Sequence, residues 1–201
     1  EKSRKLFGIP EGSVVIGSFQ KDGIGWGDGL EPKLIKGPDY FLRTIEALYS
    51  MNKDIYVLLT GPARGYVKSG LEKIGVPYRH VMVQNYYEIS RYYGVLDLYL
   101  VTAREEGGPR AVLESFATGT PLVATRVGQA MDLISHQKTG WLVDVGDVDG
   151  LVHWASEVLE TSDDHRTILK NARLVAESQS YKAQTPLWTS FMEGFIAERK
   201  L

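Results

Sequence analysis

Short apolar segments alternate with amphipathic segments along nearly the whole chain, and this alternation is the feature that most limits the possible folds. Apolar runs suited to buried strands occur at residues 14–19, 55–59, 79–83, 98–101, 121–125 and 140–143. Segments with helical spacing lie between and after them, at residues 37–49, 64–74, 86–93, 109–118, 130–135, 148–159, 164–177 and 186–198. This order predicts a Rossmann-like, doubly wound α/β fold: a parallel sheet of about six strands with helices on both faces, plus C-terminal helices.

The length and composition suit one ordinary domain, and we expect residues 1–201 to form it. The 201 residues are 43% apolar and 24% charged, which is enough apolar material for a substantial core. The chain begins with Glu1, and its first residues resemble the tail of something larger, so we expect an excised domain.

Charge and composition exclude several classes of function. A net charge of -2 gives no general attraction to nucleic acid or to anionic membranes, so any anion must be bound by a local arrangement. The absence of cysteine excludes disulfides, thiolate metal sites and a cysteine nucleophile. No apolar run approaches the length of a transmembrane helix, and we expect a cytoplasmic protein, with peripheral membrane association conceivable for the full-length chain.

The stretch from Arg104 to Thr125 (REEGGPRAVLESFATGTPLVAT) holds the strongest candidate site. A glycine turn feeds a helix there, and the unpartnered N–H groups of the first helical turn attract phosphate. Glu106 and Glu114, eight residues apart, could each accept hydrogen bonds from a diol on either side of a diphosphate. The alternative from chemistry and spacing alone is a generic turn, with one acid complementing the helix dipole and the other solvated.

The segment from Glu106 to Glu114 (EGGPRAVLE) resembles the E-x7-E motif of family 4 of the retaining glycosyltransferases, which have the GT-B fold. Its surroundings follow the order and spacing of that family's C-terminal domain; the matching segments are residues 97–101, 118–125, 128 and 139–143. Several linked motifs are much more specific than one glycine turn, and the resemblance covers nearly the whole chain.

The resemblance implies roles for particular residues. In the family the first glutamate, here Glu106, holds hydroxyls of the donor sugar, and the second, here Glu114, holds the ribose. Backbone amides of the turn contact sugar and phosphate, and the corresponding residues are Gly107, Gly108, Arg110 and Ala111.

Two positions depart from the family pattern. The family places an arginine and a lysine after the first strand against the diphosphate, where they neutralise charge on the departing nucleotide. Lys36 corresponds to the lysine, but only Lys21 is available for the arginine, and a glycine-rich insertion separates the two. Lys21 is therefore either a substitute cation without a bidentate fork or a solvated loop residue. Pro109 replaces a common glycine, which implies one fewer backbone contact to the sugar.

Three other signals favour structural roles. Asp147-Val148-Asp149 spells D-x-D but precedes a predicted helix, where Asp147 suits an N-cap better than a metal ligand. The histidines lack metal-ligand spacing, and His136, His153 and His165 are expected at the surface. The tyrosines at 86, 87, 92 and 93 share a predicted helix, which favours packing over base stacking.

The resemblance implies that this chain is the donor-binding half of a two-domain enzyme whose N-terminal acceptor domain is absent. The donor would be a nucleotide-diphospho-sugar such as a UDP- or GDP-sugar, with no metal or further cofactor required. A hexosyl group would pass to a glycan or lipid-linked acceptor, and the isolated domain would be inactive. The alternatives are a non-catalytic nucleotide-sugar-binding module and another GT-B enzyme such as a sugar-nucleotide epimerase.

Overall fold

The computed structural model of the protein describes residues 2–160 and 165–196. Within these ranges the strands are β1 (Val14–Phe19), β2 (Ile55–Thr60), β3 (Tyr78–Val81), β4 (Leu98–Val101), β5 (Leu122–Thr125) and β6 (Trp141–Val143). They form one sheet in the order β3-β2-β1-β4-β5-β6, and every neighbouring pair is parallel. The predicted Rossmann-like, doubly wound sheet is therefore confirmed.

The helices follow the strands in the predicted sequence order. They are α1 (Lys2–Leu6), α2 (Pro38–Met51), α3 (Gly65–Ile74), α4 (Ile89–Tyr93), α5 (Arg110–Thr118), α6 (Ala130–Leu133), α7 (Val148–Glu160), α8 (Arg166–Ser178) and α9 (Tyr181–Ile196). Short 3-10 turns occur at Leu34–Lys36 and Tyr86–Glu88. No helix in the described ranges is both long and apolar enough to cross a membrane.

Some predicted boundaries differ from the structure for local reasons. The segment at residues 86–93 is a 3-10 turn followed by α4, and the Asn85 side chain accepts a hydrogen bond from the Tyr87 N–H at its start. Helix α9 begins five residues before the predicted Pro186, because Ser180 caps it by accepting the Ala183 N–H. The predicted limits at Asp164 and Glu198 lie outside the described residues, and α1 was not predicted.

Both faces of the sheet are covered, which explains why the strands are apolar throughout instead of alternating. Along β4, Tyr99 and Val101 belong to the core shared with α5, whereas Leu98 and Leu100 belong to the core shared with α2 and α7. All four β4 side chains are buried, as expected for a strand near the centre of the sheet.

Candidate functional site

A cleft lies where the strand order reverses, at the carboxyl ends of β1 and β4. Crossovers leave these two neighbouring strands toward opposite ends of the sheet, and ligands of open α/β sheets bind at such a point. The cleft has a volume of about 560 Å³. Its walls come from the segments after β1, β2, β3 and β4, and they include Gln20, Lys33, Thr60, Val83, Tyr86, Tyr99 and Pro109.

The structure brings nearly all the residues predicted for the site to this cleft. The cleft is lined by Lys21, Lys36, Glu106, Gly108, Arg110, Ala111 and Glu114. Gly107 is the exception among the predicted residues, because its carbonyl faces α6 and accepts the Gln129 N–H at 2.9 Å. The cations, the acids and the start of α5 therefore share one surface.

The turn before α5 is fixed from behind. Gly128 has φ +41°, and a Cβ added there would lie 1.9 Å from the Glu106 carbonyl oxygen, so only glycine allows this close approach. Within the described residues, the backbone N–H groups of Gly108, Arg110 and Ala111 donate to no protein acceptor. Together with the dipole of the nine-residue α5, these donors have the chemistry to attract an anion in a chain with little net charge.

Glu106 and Lys36 form an ion pair across the cleft, with side chains 21% and 20% exposed. Lys36 ends the 3-10 turn, and the following Gly37 adopts φ +64°. A Cβ on Gly37 would lie 1.7 Å from the Thr102 carbonyl oxygen, and the Thr102 hydroxyl donates to the Gly37 carbonyl at 2.9 Å. The position of Lys36 is thus fixed by the end of β4.

A second ion pair joins the same two segments. The Arg104 guanidinium donates to both carboxylate oxygens of Asp39, each at 2.7 Å, and also to the Leu34 carbonyl. Its plane stacks on Tyr40 at 3.7 Å from the ring centroid. The hydrogen bonds from Arg104 lower the pKa of Asp39, so the fork stays ionised at neutral pH and holds the segment carrying Lys36 against the turn carrying Glu106.

Glu114 is held by two phenols. The Tyr93 hydroxyl donates to Glu114 Oε2 at 2.8 Å, and the Tyr86 hydroxyl donates to Oε1. Burial raises the pKa of both tyrosines, so both remain protonated donors. The predicted packing of the tyrosine cluster is right for Tyr92 and Tyr93 but wrong for Tyr86 and Tyr87, which are 54% and 91% exposed.

Two lysines accompany Lys36 on the long loop after β1. The Lys21 ammonium lies 3.7 Å above the centroid of the Trp26 ring, and Lys21 also lines the cleft. Lys33 lines the cleft as well, although sequence reasoning missed it. The spacing of Lys33 and Lys36 could have indicated this position. Lys33 directly precedes the 3-10 turn that ends at Lys36, and side chains three residues apart on such a turn point the same way.

Asp147 and His165, for which the sequence favoured structural roles, can be located in the structure. Asp147 Oδ1 accepts the Gly150 N–H at 2.8 Å before α7, which confirms the predicted N-cap. The surface position predicted for His165 is wrong, because its ring is buried 4.8 Å from the Trp141 ring centroid. Among the described residues, no group of three or more histidine or acidic side chains is arranged to hold a metal ion.

Comparison with known proteins finds a family model that matches most of the chain. Residues 30–175 match the family model described as "Glycosyl transferases group 1". The lipopolysaccharide core biosynthesis mannosyltransferase LpsB of Rhizobium meliloti is 30% identical over 134 residues, which cover 62% of this chain and 38% of the relative.

Solved structures share the fold. Anabaena HepE in complex with UDP-glucose superposes with a TM-score of 0.77 at 21% identity, covering 96% of this chain and 52% of HepE. The C-terminal domain of a glycosyl transferase group 1 family protein (LpcC) from Francisella tularensis gives a TM-score of 0.70 at 15% identity, covering 89% of this chain and 91% of that domain. The chain thus spans about half or less of the longer proteins that it matches.

Proposed function

The chain belongs to the group 1 glycosyl transferases, and from this membership we propose that it is the donor-binding half of a retaining GT-B glycosyltransferase of family 4. It binds a nucleotide-diphospho-sugar, and the complete enzyme transfers a hexosyl group to a glycan or lipid-linked acceptor. Because catalysis needs both substrates held together, the isolated chain binds donor but transfers little.

The observation that carries the proposal is the gathering of three kinds of group on one cleft. Lysines and unpartnered N–H groups at the start of α5 suit a diphosphate, and Glu106 and Glu114 suit hydroxyls on either side of it. In transfer, the lysines stabilise the negative charge that grows on the departing nucleotide diphosphate. Glu106 holds the hydroxyls of the transferred sugar, and Glu114 holds the ribose.

The identity of the donor and the need for a second domain rest on the similar proteins. HepE was solved with UDP-glucose, and LpsB is named as a mannosyltransferase, so a UDP- or GDP-hexose is the proposed donor. This chain covers 38% of LpsB and most of a solved C-terminal domain, and an N-terminal domain is the proposed source of the acceptor site.

Donor binding is tested by thermal unfolding of the chain with a panel of UDP-, GDP- and ADP-sugars. A ligand at about 100 times its dissociation constant adds about 2.7 kcal/mol to the stability of the folded state. For a chain of this size we expect a rise in melting temperature of about 5–10 °C with the true donor. No shift with any member of the panel would contradict the binding proposal.

Transfer is tested in the full-length protein with Glu106→Gln, and the neighbouring exposed acid supplies a matched control, Glu105→Gln. We expect Glu106→Gln to abolish most sugar transfer and Glu105→Gln to leave it intact. A full-length protein that binds donor but transfers no sugar would favour the non-catalytic binding module instead, and an epimerised nucleotide sugar as the product would identify an epimerase.

A further inference from the structure

A fully buried arginine lies directly behind the lysine-bearing wall of the cleft. We propose that Arg64, with Asp22, is a positioning residue that fixes the loop carrying Lys21, Lys33 and Lys36 in the geometry that receives the donor diphosphate. This inference rests on the proposed function for the identity of the ligand. The anchoring of the loop itself rests on contacts that involve no ligand.

Arg64 joins the ends of two strands through one guanidinium group. Its side chain is 0% exposed, and Nη1 lies 2.6, 2.9 and 2.9 Å from the carbonyl oxygens of Ser18, Gln20 and Thr60, so its two N–H groups serve three acceptors. Nη2 donates to the Ser18 hydroxyl at 3.0 Å. Since Gln20 and Thr60 both line the cleft, Arg64 sets the separation of β1 and β2 at its floor.

Asp22 accompanies Arg64 at a considerable cost in desolvation. Its Oδ1 lies 3.0 Å from Arg64 Nε, but out of hydrogen-bond alignment, and neither carboxylate oxygen accepts a well-aligned hydrogen bond within the described residues. Burial raises the pKa of Asp22 to about 6, although the charge of Arg64 acts in the opposite direction. Well-packed apolar residues often stabilise a fold at least as well as such a pair, so stability alone does not account for it.

The anchoring extends from Asp22 to the other two lysines through the backbone. The Asp22 carbonyl accepts the Lys33 N–H at 2.7 Å, and the Lys33 carbonyl accepts the Lys36 N–H at 2.8 Å. Lys21 directly precedes Asp22 in the chain. Lys21 is therefore joined to the buried pair by a peptide bond, Lys33 by one hydrogen bond and Lys36 by two successive hydrogen bonds.

The tip of the loop is also bound to the helix that Arg64 precedes. The Gly65 N–H donates to the Asp28 carbonyl at 2.6 Å, and the Tyr66 N–H donates to the Gly29 carbonyl at 2.8 Å. A glycine-rich loop of this length would otherwise sample many conformations and lose binding free energy when it is ordered around a ligand. Because Arg64 already orders the loop in the free protein, that part of the binding free energy is not lost when the ligand binds.

The test uses Arg64→Lys, because a single ammonium cannot replace three guanidinium nitrogens: besides the group near the carbonyls, Arg64 places Nη2 on the Ser18 hydroxyl and Nε beside Asp22. The matched control is Arg91→Lys, the same change at a side chain that is 72% exposed and forms a surface ion pair with Glu88. The first measurement is hydrogen exchange in the free protein at the N–H groups of Ile24 and Lys33, which close the loop. We expect at least tenfold faster exchange in Arg64→Lys and no change in Arg91→Lys.

The second measurement compares the affinities for UDP and UMP. A positioning role predicts that Arg64→Lys lowers the preference for UDP over UMP at least tenfold, while the affinity for UMP changes less than twofold. General damage to the fold would weaken both nucleotides together. If Arg64→Lys does not fold, the double variant Asp22→Leu/Arg64→Met, which removes both charges, is used in its place. The same faster exchange and the same loss of preference for UDP are expected.

The outcomes separate the two proposals. Normal loop exchange in the variant, or an unchanged preference for UDP over UMP, overturns the positioning role. Failure of the wild type to bind UDP, GDP or ADP overturns the proposed function, and faster exchange in the variant would still support the anchoring of the loop.

Discussion

The two phenols that hold Glu114 differ in exposure, and this difference allows the proposed ribose contact to be tested. Tyr93 is fully buried and donates to Oε2, whereas Tyr86 lies at the exposed mouth of the cleft. Tyr93→Phe removes one donor and keeps the ring that packs 5.0 Å from the Tyr99 ring centroid. The Glu114 carboxylate then keeps its charge and the exposed Tyr86 donor, but it loses the buried donor that restricts its orientation.

The expected magnitude follows from the hydrogen bonds involved. A hydroxyl donating to a carboxylate contributes about 1.5–3 kcal/mol, and a value of about 2 kcal/mol predicts that wild type prefers UDP over 2′,3′-dideoxy-UDP about 30-fold. Ordering a freed side chain costs about 1 kcal/mol, so Tyr93→Phe should reduce that preference to about fivefold. The lost buried hydrogen bond should also lower the melting temperature by about 2–4 °C.

Isothermal titration calorimetry with the two nucleotides measures the preference directly. Tyr92→Phe is the matched control, because Tyr92 neighbours Tyr93 on the same helix, packs on Phe7 and makes no described contact with Glu114. A wild-type preference near one would refute the ribose role of Glu114. An equal preference in Tyr93→Phe and Tyr92→Phe would refute the orienting role of the buried phenol.

Three further predictions concern the segments that frame the cleft. Arg104 lowers the pKa of Asp39 in the folded state, so this ion pair stabilises the fold above the unfolded-state pKa of Asp39 and ceases to do so as the pH falls through the folded-state pKa. In urea unfolding, Asp39→Asn should therefore be less stable than the wild type by about 1–2 kcal/mol at pH 7, and this difference should shrink below about pH 4. Gly37→Ala should lower the free energy of unfolding by about 2–4 kcal/mol, because the added Cβ collides with the backbone after β4. Gly75→Ala, also at positive φ but with open space around it, should lower it by about 1 kcal/mol, and thermal unfolding of both variants tests this. Lys36→Met should weaken UDP binding at least tenfold, measured by calorimetry, and should reduce the salt dependence of that binding.

The fold was predictable because its signals are local. Each strand is a short apolar run between turn residues, and covering both sheet faces needs no information beyond that pattern. The start of α9 was mispredicted because Pro186 resembles a first-turn residue, while Ser180 in fact caps the helix. The surface position of His165 was wrong because its burial depends on Trp141, which is distant in sequence.

The candidate site was predictable only in part, for a similar reason. Glu106 and Glu114 flank one turn, so their shared cleft follows from the local geometry of a turn that feeds a helix. The roles of Lys33 and Arg64 depend on a long loop that packs against the start of α3, and a glycine-rich sequence does not specify the path of such a loop. Arg64 looks like an ordinary helix-start residue in the sequence, because its partners, the carbonyls of Ser18 and Gln20, lie more than forty residues earlier in the chain.

The two acids of the cleft are restrained by chemically different partners, and this sets different energetics for ligand capture at each. Glu106 is paired with Lys36, a cation that a diphosphate also attracts, so donor binding draws Lys36 toward the diphosphate and frees Glu106 to accept sugar hydroxyls. Glu114 is held by neutral phenols that use only part of its capacity to accept hydrogen bonds, so it can bind ribose hydroxyls without releasing Tyr93. The salt dependence of donor affinity should therefore arise at the lysines, while discrimination between ribose and deoxyribose arises at Glu114.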